Sequence, residues 1–86
     1  MKIAMTLFKY FPYGLQRDFL RMARECADRG HQVTAFAGEW QGEKPDWLEI
    51  RILPSEKWSN HGRAADFERK FGRILENEPF DVVVGF

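Results

Sequence analysis

Two short stretches carry more chemistry than a connector requires. One is Lys9-Tyr10-Phe11-Pro12-Tyr13-Gly14 running into Leu15-Gln16-Arg17-Asp18-Phe19; the other is Asn60-His61-Gly62-Arg63. A strand-to-helix step needs a glycine, a capping side chain and little else, so rings, a lysine and a carboxylate crowded into the first stretch point to a ligand. Gly14 falls just ahead of a helix N-terminus, where free N–H groups and the positive end of the helix dipole suit a phosphate or diphosphate. A steric turn glycine fits that place equally well. Asp18, one turn into the helix, would repel a phosphate and suits a sugar or ribose hydroxyl. The plainer role for it is an i,i+3 pair with Arg21, worth roughly a few tenths of a kcal/mol. Lys9 with Tyr10, Phe11 and Tyr13 reads as an aromatic-basic loop: rings stack on sugars or bases, and a lysine holds a phosphate as a point charge. Packing is the plainer role, above all for Phe11. In the second stretch His61, beside a glycine and Arg63 in a loop, reads as a ligand hand, and a structural role is the plainer one for a lone histidine.

Several chemistries are set aside. The chain holds no G-x-G-x-x-G and no G-x-x-x-x-G-K-[ST], which counts against an ordinary dinucleotide site and a P-loop triphosphatase. Cys26 is the single cysteine, so neither an internal disulfide nor a cysteine cage is available, and it reads as a small core residue. The other histidine, His31, belongs at the opposite sheet edge from His61, so no metal site is expected. Thirteen basic and thirteen acidic side chains balance, which removes any global attraction for nucleic acid. An anion must therefore be captured locally.

The elements that must position these residues follow from periodicity. Residues 2–7 form a nearly continuous apolar run, the pattern of a strand covered on both faces. Leu15, Phe19, Met22, Ala23 and Cys26 make one stripe of a helix reaching about Arg29, and Gly30 is its stop. Residues 32–37 alternate as a second strand, and 38–47 read as a loop. Residues 48–53 form a third strand, charged at every second position and so near an edge. Ala64, Phe67, Phe71, Ile74 and Leu75 mark a second helix ending at Asn77 and Pro79, with Asn60-His61-Gly62-Arg63 placed before it. Residues 81–86 read as a buried fourth strand. Right-handed crossovers give a three-layer, Rossmann-like parallel α/β sheet in the order 3-2-1-4. Its switch point lies between strands one and four, where open α/β sheets bind ligands at the carboxyl ends.

At 86 residues the chain is one domain at most. No apolar stretch reaches the roughly 20 residues of a spanning helix, and the N-terminus passes into a strand without a secretory pattern, which makes a cytoplasmic location the expectation. Trp40, Trp47 and Trp58 fall in or next to loops, and their patterning leaves open whether they cover the core or face a partner.

Lys9 through Phe19, then Arg29-Gly30-His31-Gln32-Val33, Asn60-His61-Gly62-Arg63 and Val83-Val84-Gly85-Phe86 closely resemble the beginning of the lipopolysaccharide core glucosyltransferases, among the retaining family 4 glycosyltransferases. The Arg-Gly-His piece is common in that wider group; the K-Y-F-P-[FY]-G…L-Q-R-D-F run together with N-H-G-R is more specific. The resemblance spans the whole chain. It implies a GT-B enzyme of two Rossmann-like domains, with residues 1–86 forming the first portion of the N-terminal, acceptor-side domain and the nucleotide-sugar domain lying outside this chain. It further implies transfer with retention from UDP-glucose or a similar nucleotide sugar to a heptose of the lipopolysaccharide core, with no metal or other cofactor. A peripheral contact with the inner face of the cytoplasmic membrane would come from regions outside this chain. By the same resemblance Gly14 approaches the donor diphosphate or sugar and Asp18 contacts the donor sugar, while Lys9, Tyr10, His61 and Arg63 are cleft residues toward the acceptor. The family pattern has two consecutive glycines before L-Q-R-D where this chain has Gly14 alone, a turn one residue shorter. The 86 residues by themselves are not expected to catalyse transfer. Two rivals are a non-catalytic flavodoxin-like binding domain and a GT-B enzyme with another donor and acceptor. Phe8-Lys9-Tyr10 after strand one, in place of clustered acids, disfavours a phosphoacceptor domain.

Overall fold

The structure is a computed structural model that describes residues 1–10 and 16–86, together with the backbone but not the side chains of Gln16 and Asn60. The expectations for Gly14, Phe11 and Tyr13 fall outside the described residues. The elements are β1 (Lys2–Tyr10), α1 (Gln16–Asp28), β2 (Gln32–Trp40), β3 (Glu49–Ile52), α2 (Asn60–Asn77) and β4 (Val82–Gly85). All strand pairs are parallel and the order is β3-β2-β1-β4, as the crossover rule requires.

The two helices cover opposite faces. Ile3, Met5, Val33 and Ala35 pack with Phe19 and Ala23 of α1, and Leu48 joins them from the β2–β3 connection. Ala4 and Phe36 point the other way and pack with Phe67 of α2, flanked by Phe71 and Phe80. Phe36 is the centre of that second layer, 5.0 Å from the Phe71 ring and 5.8 Å from Phe80. The period-2 alternation of β1 and β2 thus feeds both layers, and for this reason the strands read as apolar runs.

Helix ends are set by local chemistry. Gly30 has φ +89°, and the Gly30 and His31 amides donate to the Ala27 and Cys26 carbonyls, at 3.0 and 3.1 Å, closing α1 in a Schellman turn. At the start of α2 the Ser59 hydroxyl accepts from the Gly62 amide at 3.0 Å. That cap draws Asn60-His61-Gly62-Arg63 into the first turn of the helix, a correction to their expected place before it. The outer edge of the sheet is tied to the end of α2 by Arg51 of β3, whose guanidinium grips both carboxylate oxygens of Glu78. This pairing raises the Arg51 pKa and holds the Glu78 carboxyl below its usual range.

Two further boundaries and the burial of one strand differ from the sequence-based expectation. β1 continues to Tyr10 and β2 to Trp40, because the ladder persists through Lys9↔Glu39 and Tyr10↔Trp40. Lys9 and Tyr10 are therefore strand residues, not loop residues. β4 is not buried: Val82 is 37% and Val83 47% exposed, since β1 flanks the strand on one side and no described strand flanks the other, leaving Val84 as its contact with the core.

Candidate functional site at the carboxyl edge

The alternation of β1 and β2 changes face near their carboxyl ends. Up to Leu7 and Ala35 the odd-numbered residues face α1. Beyond Phe8 and Gly38 the even-numbered Tyr10 and Trp40 do so instead: their rings stack at 3.9 Å with 13° between planes, and Trp40 meets Phe19 of α1 edge-on. The strands run unusually close where the change occurs. A Cβ at position 38 would lie 2.9 Å from the Phe8 carbonyl oxygen and 3.0 Å from two carbons of its ring, so only glycine leaves that approach undisturbed.

The consequence is chemical. With Tyr10 and Trp40 turned into the α1 layer, Lys9 and Glu39 turn toward the N-terminus of α2. Lys9 Nζ sits 3.9 Å from Glu39 Oε2 and 5.7 Å from the centre of the Phe8 ring. Glu39, Phe8, Gly38, Leu53, Ser55 and Arg63 enclose a narrow hollow there. Two cations and one carboxylate from three elements thus gather at the carboxyl edge, next to a helix whose first turn contains no acid. Beside them, at the switch point between β1 and β4, an open cavity of about 290 Å³ is lined by Thr6, Phe8, Phe67, Phe71 and Phe86. The Phe86 amide donates to the Thr6 carbonyl at 3.0 Å, and the Phe86 ring meets Phe19 of α1 edge-on at 5.1 Å.

The residues singled out by sequence fare differently. Lys9 pairs with Glu39, which lines the narrow hollow together with Arg63; pattern reading missed Glu39 because residues 38–47 read as a loop. Tyr10 has its ring in the core, 4% exposed. His61 is exposed in the first turn of α2. Asp18 lies in the first turn of α1, on the opposite side of the sheet, with its exposed carboxylate 3.7 Å from Arg21, the plain i,i+3 pair. His31 is at the amino edge, with Nδ1 3.1 Å from the chain's N-terminal amine. No group of three or more metal-binding side chains of the His, Cys, Asp or Glu type occurs among the described residues. None of the described helices is long and apolar enough to cross a membrane.

A parallel sheet wound on both faces, with polar side chains converging at the carboxyl ends beside its switch point, defines a Rossmann-like α/β unit, a class whose ligands bind at that edge. Comparison with known proteins gives that class a particular relative. Across its whole length the chain is 42% identical, over 87 aligned positions, to the lipopolysaccharide glucosyltransferase WaaG of Escherichia coli (strain K12), of which it covers 23%. The crystal structure of WaaG, described as a glycosyltransferase involved in lipopolysaccharide biosynthesis, is matched with a TM-score of 0.93 and 42% identity over 98% of this chain and 23% of that structure. No family model matches. The resemblance to the lipopolysaccharide core glucosyltransferases therefore holds in both sequence and fold, over a chain that spans about a quarter of the relative's length.

Proposed function

We propose that residues 1–86 form the first portion of the N-terminal, acceptor-side domain of a GT-B glycosyltransferase of lipopolysaccharide core synthesis. The whole enzyme transfers glucose, or a similar hexose, from its UDP derivative to a heptose of the core with retention of configuration. The observation that carries this reading is the 42% identity to WaaG over the full chain, joined to a TM-score of 0.93.

The chemistry follows from what such a cleft must do. In front-face substitution the departing diphosphate and an oxocarbenium-like centre are stabilised while the acceptor hydroxyl is held in line. Asp18, exposed at the N-terminal turn of α1, orients the donor sugar through its hydroxyls, and Gly14 is the residue assigned to the donor diphosphate. Lys9, Glu39 and Arg63 meet the acceptor from the α2 side: the carboxylate accepts from hydroxyls, and the cations offer charge to any acidic substituent. No metal or other cofactor takes part. The complete enzyme works in the cytoplasm at the inner face of the membrane, which its lipid-linked acceptor occupies.

The test is transfer by the full-length protein from radiolabelled UDP-glucose to a lipopolysaccharide acceptor truncated at heptose, with and without EDTA, and the product's anomeric configuration read by NMR. Transfer with retention, unaffected by EDTA, is expected. Arg63→Ala should raise KM for the acceptor about tenfold or more, the loss of a charged hydrogen bond, and Asp18→Ala should raise KM for the donor. Absence of transfer from any UDP-hexose would refute the reading.

A further inference from the structure

Trp58 has no role in either core layer or at the site above. Trp40 is packed against Tyr10 and Phe19, and Trp47 lies under the Arg24 guanidinium at 5.1 Å, whereas Trp58 is fully exposed. It stands on the rim of a hollow of about 660 Å³ between the segment leaving β3 and the first three turns of α2. That volume is within the range, roughly 300–1,000 Å³, that receives small molecules. The remaining wall is charged and held in place. The Asp66 carboxylate is 6% exposed, is bonded by the Arg69 guanidinium, and lies 3.3 Å from Lys70 Nζ. Lys70 also donates to the Pro54 carbonyl, which fixes the segment against the helix, and Lys57 stands beside Trp58. Ser55 lines both this hollow and the narrow one that holds Glu39 and Arg63, so the two adjoin along the carboxyl edge.

We infer that this hollow is a saccharide subsite, in which the indole of Trp58 stacks on one sugar ring while Lys57, Arg69 and Lys70 donate to its hydroxyl or acidic oxygens. The inference rests on the glycosyltransferase reading and assigns the hollow to an acceptor sugar beyond the one that reacts. The wall chemistry favours that occupant. A pyranose has one apolar C–H face that an aromatic ring covers and a rim of oxygens that takes fixed donors, which is the division of labour between Trp58 and the cations. A lipid surface would call for an apolar wall, whereas the hollow beside Trp58 is lined largely by charged residues, Glu56, Lys57, Asp66, Arg69 and Lys70. The pairing of Asp66 with Arg69 and Lys70 holds the donors in position before any ligand arrives, which lowers the cost of ordering them on binding.

The experiment titrates the full-length protein, without donor, with lipid-free lipopolysaccharide core oligosaccharide, reading the tryptophan indole N–H resonances by NMR with Trp58 assigned through Trp58→Phe. The Trp58 signal should move saturably, Trp58→Ala should weaken binding roughly tenfold, and Trp58→Phe should retain most of it. In turnover, Trp58→Ala should raise KM for the oligosaccharide relative to KM for a heptose monosaccharide acceptor by a similar factor. A Trp58 indole that stays still while the oligosaccharide saturates another site overturns the inference, as does wild-type affinity in Trp58→Ala or no binding at all. Failure of the wild-type protein to transfer sugar strikes the glycosyltransferase reading instead, and the indole titration then decides the subsite on its own.

Discussion

Replacing Gly38 with alanine tests whether the close approach of β1 and β2 is what sets up the carboxyl edge. The added methyl would lie 2.9 Å from the Phe8 carbonyl oxygen and 3.0 Å from two ring carbons. Neither neighbour yields cheaply. The oxygen belongs to a strand whose ladder continues through Lys9↔Glu39 and Tyr10↔Trp40, and the ring stands edge-on to Phe67 at 6.0 Å. Overpacking of this kind costs about 1–3 kcal/mol. For a chain of this size, with about 4–8 °C lost per kcal/mol near the midpoint, the melting temperature should fall by roughly 5–20 °C. Thermal melts followed by far-UV circular dichroism and by tryptophan fluorescence measure it, with Gly30→Ala as the comparison. At Gly30 nothing lies within 4 Å of an added Cβ, but φ is +89°, so the loss there, about 1 kcal/mol, comes from the backbone alone. The two variants should differ in fluorescence: Gly38→Ala disturbs the Tyr10–Trp40 stack and Gly30→Ala leaves it in place. A Gly38→Ala protein that melts with the parent and keeps its tryptophan emission would refute the claim that this contact shapes the site.

Gly72 offers the opposite outcome. It sits inside α2 with open space around an added Cβ, so Gly72→Ala should stabilise the chain by about 0.5–1 kcal/mol in urea melts. The Asp66 carboxyl is held down to about 2, from 3.8, chiefly by the Ser55 hydroxyl and then by Arg69 and Lys70, with burial opposing. Its folded-state pKa is depressed, so its contribution is fully present above about pH 4 and is lost as the pH falls toward 2. Melting temperatures measured across that window should drop less in Asp66→Asn than in the parent; parallel curves would count against the pairing.

Most of the architecture was legible because its determinants are local or periodic. Gly30 announces the end of α1, the apolar run at 2–7 announces a strand covered twice, and the charged alternation of 48–53 marks an edge. Strand order then follows from crossover handedness with no further input. The misplaced features depend on contacts between elements. Continuation of β1 to Tyr10 needs Trp40 as a stacking partner 30 residues away, and β4 reads as buried from composition although what stands beside it decides its exposure. The start of α2 was readable in principle: Ser59 precedes a Gly62 amide at capping distance, but a glycine where a capping box carries Glu or Gln hides the signal. At the site, Lys9 and Arg63 were found from residue type. Glu39 was not, since residues 38–47 read as a loop, and no pattern in one strand reveals that two strands continue and turn over together.

That shared turn-over gives adjacent codons unequal freedom. Position 40 is wedged among rings and tolerates little, whereas position 39, one peptide bond away, opens onto the narrow hollow with no core duty to keep. Acid, amide or small side chains can be exchanged at 39, altering the charge of that hollow, while the scaffold beneath goes on folding as before.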